Sequence, residues 1–174
     1  MKMEQLKNMI RNIPDFPSPG VIFRDITTVL KDPKGLTMAV DAMAGLLEGV
    51  EYDLIIGPES RGFIFGVPLA YKFNKGFVPA RKAGKLPAET VSKSYALEYG
   101  EAVIELHKDA LTPGLKVVIA DDLLATGGTA KAVADLVTEY NMHVAAFAFL
   151  VELKQLGGRE VLAGYDNIKS VLVY

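Results

Sequence analysis

KVVIADDLLATGGTAKAV, residues 116–133, runs from an apolar segment through two adjacent aspartates into a loop of small residues and then into a helical pattern. The segment 117–120 is apolar on both faces, which is typical of a strand buried in a parallel sheet. The following helix has one apolar face, formed by Ala130, Val133, Ala134 and Val137. The stretch therefore predicts a strand, a loop and a helix, with Asp121 and Asp122 at the carboxyl end of the strand, where open α/β sheets bind ligands.

The rest of the chain repeats this alternation. Short apolar runs predict strands at residues 52–57, 76–81, 143–151 and 168–174. Helical spacing predicts helices at residues 3–11, at 63–73, and from Asp32-Pro33 to about Leu47. The expected fold is α/β, with a mostly parallel sheet flanked by helices.

Three segments interrupt the alternation. Residues 82–94 lose hydrophobic periodicity and predict a mobile surface loop. YALEYG and AVIELH, at 95–100 and 102–107, alternate around Gly100 and predict a hairpin or bent ribbon beneath that loop. LGGREVLAG, at 156–164, predicts a turn.

Composition narrows the function classes. With 174 residues, half of them hydrophobic, the chain is expected to form a single domain over 1–174. With a net charge of −2, the chain lacks the overall excess of positive charge on which nonspecific nucleic-acid binding relies. No cysteine is present, and the two histidines, His107 and His143, are isolated, so thiol catalysis and a His-rich metal site are excluded. The N-terminus lacks a signal-peptide pattern and the apolar run 144–151 is too short to span a bilayer, so we expect a cytoplasmic protein without a membrane partner.

The loop LLATGGTA has the properties of a phosphate site. Gly127 and Gly128 let backbone amides approach an anion, the helix N-terminus favours negative charge, and Thr126 and Thr129 add hydroxyl donors. The pattern is neither a Walker A loop nor GxGxxG. An ionised carboxylate only accepts hydrogen bonds, so the preceding aspartates suit a vicinal diol, and the implied ligand is a ribose 5-phosphate. The alternative is that Asp121 and Asp122 cap a helix and that Gly127 and Gly128 form a plain turn.

The segment VVIADDLLATGGTA, at 117–130, resembles the signature with which type I phosphoribosyltransferases bind phosphoribosyl pyrophosphate (PRPP). The adenine-specific members of that family are similar in further segments, namely FPSPGVIFRDIT at 16–27, ESRGFIFG at 59–66, RKAGKLP at 81–87 and YALEYG. The resemblance implies the type I fold, with a small N-terminal hood (about 1–30), a mobile flap (about 81–100) and a PRPP loop (117–130). It also implies transfer of phosphoribosyl from PRPP to N9 of adenine, giving AMP and pyrophosphate in purine salvage. Mg²⁺ bound together with PRPP and a homodimer are implied as well.

The resemblance assigns the sugar and its 5'-phosphate to the PRPP loop, through Asp121, Asp122, Ala125, Thr126, Gly127, Gly128 and Thr129. It assigns pyrophosphate to Glu59, Ser60, Arg61, Arg81, Lys82 and Lys85, with a cis peptide between Glu59 and Ser60. The excess of cations in the flap also suits a departing diphosphate, although a solvated charged loop is the simpler alternative. Similarly, Arg61 has the alternative of pairing with Glu59. Position 83 is Ala, whereas many members of the family carry Pro or Arg at this position.

The resemblance assigns adenine to the hood and to the PRPP loop, through Ile22, Phe23, Arg24 and Leu123. A Phe in an apolar stretch such as Phe23 is more often part of a core. Glu98 is expected to bond N7 and handle the N9 proton, and Tyr99 to cover the reacting centre. No side chain is assigned as a metal ligand.

Two rival functions remain. An enzyme for another purine would be expected to carry a lysine that reads a 6-oxo group, and the hood matches the adenine type instead. A non-catalytic PRPP-binding regulator would carry an added DNA-binding module, for which the residues before IPDF, at 13–16, are too few. Glu98 and the basic flap also favour the enzyme.

Overall fold

A computed structural model describes residues 2–96 and 100–174. The chain divides into two compact units, residues 1–42 and 43–174. The single domain expected over 1–174 stays a prediction. Among the helices of the described residues, none has the length and apolar character needed to cross a membrane.

The first unit contains a small antiparallel ribbon. Its elements are α1 (Lys2–Met9), β1 (Arg11–Pro14), β2 (Ile22–Asp25), α2 (Thr27–Leu30) and the first part of α3 (Pro33–Leu46). β1 and β2 pair with Arg11 opposite Asp25. The Asp25 carboxylate accepts bonds from the Thr27 amide at 2.9 Å and from Arg11 Nε at 3.0 Å. The Thr27 bonds, then Arg11, lower the pKa of Asp25 to about 2.

α3 begins as the sequence predicts. Asp32 Oδ1 accepts the Gly35 amide at 2.7 Å, which caps the first turn, and Pro33 occupies the first helical position. The expected end near Leu47 is confirmed, because the helix ends at Leu46.

The second unit is built on a central sheet. Its strands are β3 (Leu54–Pro58), β4 (Gly76–Lys82), β5 (Thr90–Ala96), β6 (Glu101–His107), β7 (Lys116–Leu124), β8 (His143–Glu152) and β9 (Ile168–Val173). Its helices are α4 (Arg61–Lys72), α5 (Gly128–Glu139) and α6 (Gly158–Val161). Within the described residues the strand order is β5-β6-β4-β3-β7-β8-β9. The run from β4 to β9 is parallel, and β6 pairs antiparallel with β4 and β5.

The sheet core lies where the apolar runs predict it. Val117 to Ala120 of β7 are fully buried, as are Phe147 and Phe149 of β8. The apolar face of α5 packs against these strands. The long strands β7 and β8, which are buried on both faces, therefore lie in the interior of the sheet, and their carboxyl ends lie at the same edge.

The flap contains more strand than the sequence predicts. The loop expected over 82–94 is wrong in its second half, because β5 begins at Thr90 and pairs with β6 along its whole length. Val91 and Tyr95 pack against the core, so a pattern that is weak in sequence still forms a strand. The intervening residues are also tied to β6, since the Gly84 amide donates to Glu105 at 3.0 Å and the Ala88 amide to His107 at 3.4 Å.

Two further predictions concern the ends of the sheet. The antiparallel pairing of β5 with β6 agrees with the hairpin expected for YALEYG and AVIELH, and residues 97–99 of YALEYG lie outside the described residues. The prediction of a turn at 156–164 is only partly right. Gly157 has the left-handed backbone of a turn, but the short helix α6 begins at the next residue.

Candidate active site

A cavity of about 550 Å³ opens at the carboxyl ends of β3 and β7 and the N-termini of α4 and α5. It is lined by Glu59, Ser60, Arg61, Lys82, Lys85, Asp121, Asp122, Leu123, Leu124, Ala125, Thr126, Gly127, Gly128, Thr129 and Ala130. The predicted sugar-phosphate residues and most of the predicted pyrophosphate residues therefore line one cavity. The edge is the one at which parallel sheets bind ligands.

The loop between β7 and α5 forms one wall. Gly127 has φ of 82°, a left-handed conformation that favours glycine, and α5 begins at the next residue. The first amides of a helix have no acceptor within it, and here they start beside the cavity. The wall therefore combines amide donors with the Thr126 and Thr129 hydroxyls, which suits a phosphate monoester.

The two aspartates lie inside β7, which continues to Leu124 because Asp121 and Leu123 pair with β8. Asp122 is 4% exposed, and its Oδ2 lies 2.9 Å from Arg61 Nε. Asp121 Oδ1 accepts the Asp122 amide at 2.8 Å. A Cβ on Gly62 would lie 2.9 Å from that same Oδ1, so the start of α4 fits closely against Asp121.

Burial controls the charge of this pair. It raises the pKa of Asp121 well above its ordinary value, and the neighbouring Asp122 charge raises it further. Burial also raises the pKa of Asp122, where the Arg61 guanidinium opposes the rise. Ionising Asp121 is therefore costly in the free cavity, whereas Arg61 already offsets part of that cost for Asp122.

Glu59 forms the other wall, at the base of the flap. Its side chain is 8% exposed and accepts the Lys82 amide at 2.5 Å. Arg81 Nη2 and Lys85 Nζ lie 3.3 and 3.5 Å from its Oε2. Burial raises the pKa of Glu59, but the bonds from Lys82 and Arg81 and the charge of Lys85 outweigh it and lower the pKa overall.

The pyrophosphate set is thus only partly arranged as the sequence predicts. Arg61 pairs with Asp122. The sequence predicted that Arg61 binds pyrophosphate, or alternatively pairs with Glu59, and neither interpretation included Asp122. Arg81 is absent from the cavity lining and bonds Glu59 and the Lys85 carbonyl from behind. The Ala83 amide donates to Val103, and the predicted cis peptide between Glu59 and Ser60 is confirmed.

The predicted adenine residues are divided between the two units. Leu123 lines the cavity of the second unit. Ile22, Phe23 and Arg24 lie on β2 of the first unit, where Ile22 is half exposed and Phe23 contacts Phe16 edge to face. Glu98 and Tyr99 lie outside the described residues, so their assigned roles stay predictions.

Sequence reasoning missed two lining residues and one contact. Leu124 and Ala130 line the cavity beside the predicted loop residues. The Tyr95 hydroxyl lies 3.2 Å from Thr129 Oγ1, and this contact joins β5 to the first turn of α5. The period-2 pattern of the segment that includes Tyr95 was the available signal, but it identifies a strand and not its partner.

Known proteins resemble the chain throughout its length. A family model described as the phosphoribosyl transferase domain matches residues 26–171. Adenine phosphoribosyltransferase of Lachnoclostridium phytofermentans is 56% identical over 172 residues, covering 99% of this chain and 98% of the relative.

Solved structures agree with this match. The adenine phosphoribosyltransferase from Thermoanaerobacter pseudethanolicus has a TM-score of 0.95 at 53% identity, covering 99% of both chains. The Saccharomyces cerevisiae enzyme, complexed with adenine and D-2,5-dideoxy-2,5-imino-altritol 1,6-bisphosphate, has a TM-score of 0.91 at 37% identity, covering 98% of both chains. The α/β fold expected from the sequence is confirmed.

Proposed function

The chain belongs to the phosphoribosyltransferase family, as one of its adenine phosphoribosyltransferases, and we propose that the cavity at the ends of β3 and β7 binds PRPP. The enzyme transfers the phosphoribosyl group of PRPP to N9 of adenine, giving AMP and pyrophosphate in purine salvage. The observation that carries the site assignment is that Asp121, Asp122 and the start of α5 line the same cavity as Arg61 and Lys85.

The sugar phosphate occupies the wall formed by β7 and α5. The amides of Gly127, Gly128 and Thr129, with the threonine hydroxyls, bind the 5'-phosphate at the positive end of α5. Asp121 and Asp122 accept hydrogen bonds from the two ribose hydroxyls. This arrangement fixes C1 of the ribose relative to both ends of the cavity, which is the positioning that a displacement at C1 requires.

The diphosphate occupies the wall formed by the start of α4 and the base of the flap. Arg61, Lys82 and Lys85 line that wall and supply positive charge, with Ser60 beside them. Arg81 does not line the cavity but pairs with Glu59, which also bonds Lys82 and Lys85. We therefore assign Arg81 and Glu59 to holding Lys82 and Lys85 in place. The arrangement stabilises negative charge on the leaving group as the C1–oxygen bond breaks.

The aspartates contribute most after that bond has weakened. The ribose gains positive charge at C1 as diphosphate departs, and buried carboxylates interact strongly with such a charge. The positive charge on the sugar develops only as this bond breaks, so the interaction of the ionised aspartates with it is stronger in the transition state than in the ground state. The bond between N9 of adenine and C1 of the ribose then replaces the broken C1–oxygen bond.

The base and its proton are assigned to the residues predicted from sequence. Glu98 accepts the proton that N9 loses and hydrogen-bonds the imidazole edge of adenine, and Tyr99 covers the reacting centre. Leu123 contacts the base, and the Phe23 ring with the backbone of Ile22 and Arg24 selects adenine. These assignments rest on the resemblance of YALEYG and GVIFRD to the family pattern.

Mg²⁺ is proposed to enter with PRPP. Within residues 2–96 and 100–174, no group of three acidic, histidine or cysteine side chains forms a cage for a metal. Two carboxylates beside a phosphate site nevertheless fit Mg²⁺, which keeps several waters and is held mainly by substrate phosphates with one or two carboxylates. Because Asp121 and Asp122 are assigned to the ribose hydroxyls, they would act on the ion through its bound waters, and the substrate phosphates would supply its direct ligands. When bound, the ion neutralises charge on the diphosphate.

The homodimer is likewise proposed from the family resemblance, and the cytoplasmic location from a composition without cysteine, which fits a reducing compartment. Sedimentation of the purified chain tests the first, and fractionation of the source cells tests the second.

A base screen tests the activity itself. Purified enzyme with PRPP and Mg²⁺ is given adenine, hypoxanthine, guanine, xanthine or orotate, and pyrophosphate release is followed. Release is expected with adenine and is expected to be lost in the Asp121→Asn/Asp122→Asn variant. Turnover with another base and none with adenine would overturn the assignment.

A further inference from the structure

α6 packs closely against the loop that joins β7 to α5, residues 125–127, which we call the phosphate loop. A Cβ on Gly158 would lie 2.3 Å from the Ala125 carbonyl oxygen and 2.8 Å from Leu124 Cδ1. A Cβ on Gly127 would lie 2.7 Å from the Gly158 carbonyl oxygen. The two backbones are therefore in direct contact, with no room for a methyl group on either side.

An ion pair between the half-exposed Arg159 and the buried Glu152 fixes the position of α6. Glu152, the last residue of β8, is 4% exposed, and Arg159 holds it with two bonds, Nε to Oε1 at 3.0 Å and Nη2 to Oε2 at 2.6 Å. The remaining arm of Arg159 donates to the Ile168 carbonyl at 2.8 Å, and Ser170 Oγ donates to Glu152 at 2.6 Å. Arg159 thus joins α6 to the ends of two sheet strands, and a two-pronged guanidinium bond fixes direction as well as distance.

The phosphate loop depends on such external support. Among residues 2–96 and 100–174, no side chain caps the N-terminus of α5, and Gly127 at that cap has a left-handed backbone and no side chain of its own. A loop of small residues has few contacts with which to fix its amides, whereas binding a phosphate requires them in place to a fraction of an ångström. The contact with Gly158 supplies a rigid surface behind those amides.

We propose that Gly158 and the Glu152–Arg159 pair are positioning residues for the 5'-phosphate loop, acting through backbone contact between α6 and Gly127. The inference rests on the proposed assignment of this loop to the 5'-phosphate. None of the three residues lines the cavity. Their effect on activity is therefore exerted through the loop and should fall on phosphate binding selectively.

Selective loss of sugar-phosphate affinity is the expected result. Dissociation constants for ribose 5-phosphate and for pyrophosphate are measured by calorimetry on the full chain. Gly158→Ala is expected to weaken ribose 5-phosphate roughly tenfold or more, with pyrophosphate within about twofold of the unchanged enzyme. Gly45→Ala is the matched control, because a Cβ there meets no atom of the described residues within 4 Å.

A second set of variants covers the case in which Gly158→Ala does not fold. Glu152→Gln and Arg159→Gln are each expected to weaken ribose 5-phosphate severalfold. The double variant should weaken it no more than the stronger single change, since both act through one bond pair. Arg159→Lys retains the charge but not the two-pronged bond and should restore affinity only in part.

Two results would overturn the inference, and a third would overturn its premise. Unchanged ribose 5-phosphate affinity in the folded variants removes α6 from phosphate binding. Equal losses for ribose 5-phosphate and pyrophosphate indicate general loosening of the fold. If the unchanged enzyme itself fails to bind ribose 5-phosphate, the assignment of the loop to the 5'-phosphate is at fault.

Discussion

Arg61 Nε lies 2.9 Å from Oδ2 of the buried Asp122, so one ion pair joins the proposed diphosphate site to the proposed ribose site. The Arg61 side chain is 43% exposed and the Asp122 side chain 6%. Arg61 therefore has donors left for a diphosphate while it stabilises the ionised form of Asp122. The electrostatics of the two halves of the substrate site are linked through this contact.

Replacing Arg61 should change the pH dependence as well as the rate. Arg61→Gln removes the group that opposes the burial-driven rise in the pKa of Asp122, so that pKa should rise further. Because Asp122 acts as a carboxylate, the acid limb of kcat/KM for PRPP should move to higher pH, and kcat/KM should fall roughly 10²-fold. Arg61→Lys, which keeps the charge, should keep the limb nearer its original position. An unmoved limb in Arg61→Gln would contradict the linkage.

Glu59 should be needed for the flap base. Glu59→Gln leaves Arg81 and Lys85 without their buried counter-charge, so we expect kcat/KM for PRPP to fall roughly tenfold or more. Limited trypsin digestion should also cut faster after Lys85. Glu89→Gln is the matched control, because Glu89 lies in the same segment but is exposed and pairs with Lys108 at the surface. Equal digestion rates for the two variants would argue against an anchoring role.

Glu98 is predicted to act in the chemical step. Glu98→Ala should lower kcat roughly 10²-fold or more while PRPP affinity stays nearly unchanged, since the residue is assigned to the base and its proton. Steady-state kinetics and PRPP titration measure the two effects separately. Glu101→Ala changes an exposed carboxylate on β6 and should leave kcat unaltered. A normal kcat in Glu98→Ala would remove this residue from the mechanism.

Gly62 should be required for the placement of Asp121. In Gly62→Ala the added methyl group would lie 2.9 Å from Asp121 Oδ1 and 3.1 Å from the Ala120 carbonyl, so the carboxylate must move. We expect KM for PRPP to rise roughly tenfold. Gly76→Ala serves as control, since its closest contact would be an ordinary 3.9 Å from Leu54 Cβ. Equal KM values for the two variants would show that Asp121 tolerates the displacement.

Acid should weaken the fold through Glu152. The Arg159 bonds, and then Ser170, lower the pKa of Glu152 below its ordinary value of 4.5 against the effect of burial. The stabilisation is therefore complete above about pH 4.5 and is lost as the pH falls through the lower, folded-state pKa. Urea unfolding near neutral pH and below pH 4.5 should show a smaller acid-induced loss in Glu152→Gln than in the unchanged enzyme. Equal losses would show that Glu152 does not contribute to acid sensitivity.

Sequence reasoning located the sheet edge and the cavity because local patterns determine both. The double-faced run before Asp121 and the glycines after it specify a strand end followed by a helix start, and no distant contact is needed to recognise them. Asp32 and Pro33 similarly predict the start of α3. The first part of β5 was missed because residues 90–94 contain one apolar side chain, Val91, among four polar ones, and this segment becomes a strand by pairing with β6.

The charge pairing within the site was beyond reach of the sequence. Glu59, Arg61 and Asp122 were each assigned to the site, but which cation meets which carboxylate depends on where strands β3, β4 and β7 end relative to one another. The support behind the phosphate loop was missed for the same reason. Gly158 lies in a segment that predicts a turn, and its contact with Gly127 joins residues far apart in sequence.

The short bridge between β4 and β5 has a further consequence for substrate binding. Ordering a free residue costs about 1–2 kcal/mol in backbone entropy. The amides of Gly84 and Ala88 are already bonded to β6, so this part of the flap would need little further ordering when a substrate binds. A smaller share of the interaction with PRPP is then consumed by loop ordering, and a larger share remains to stabilise the transition state.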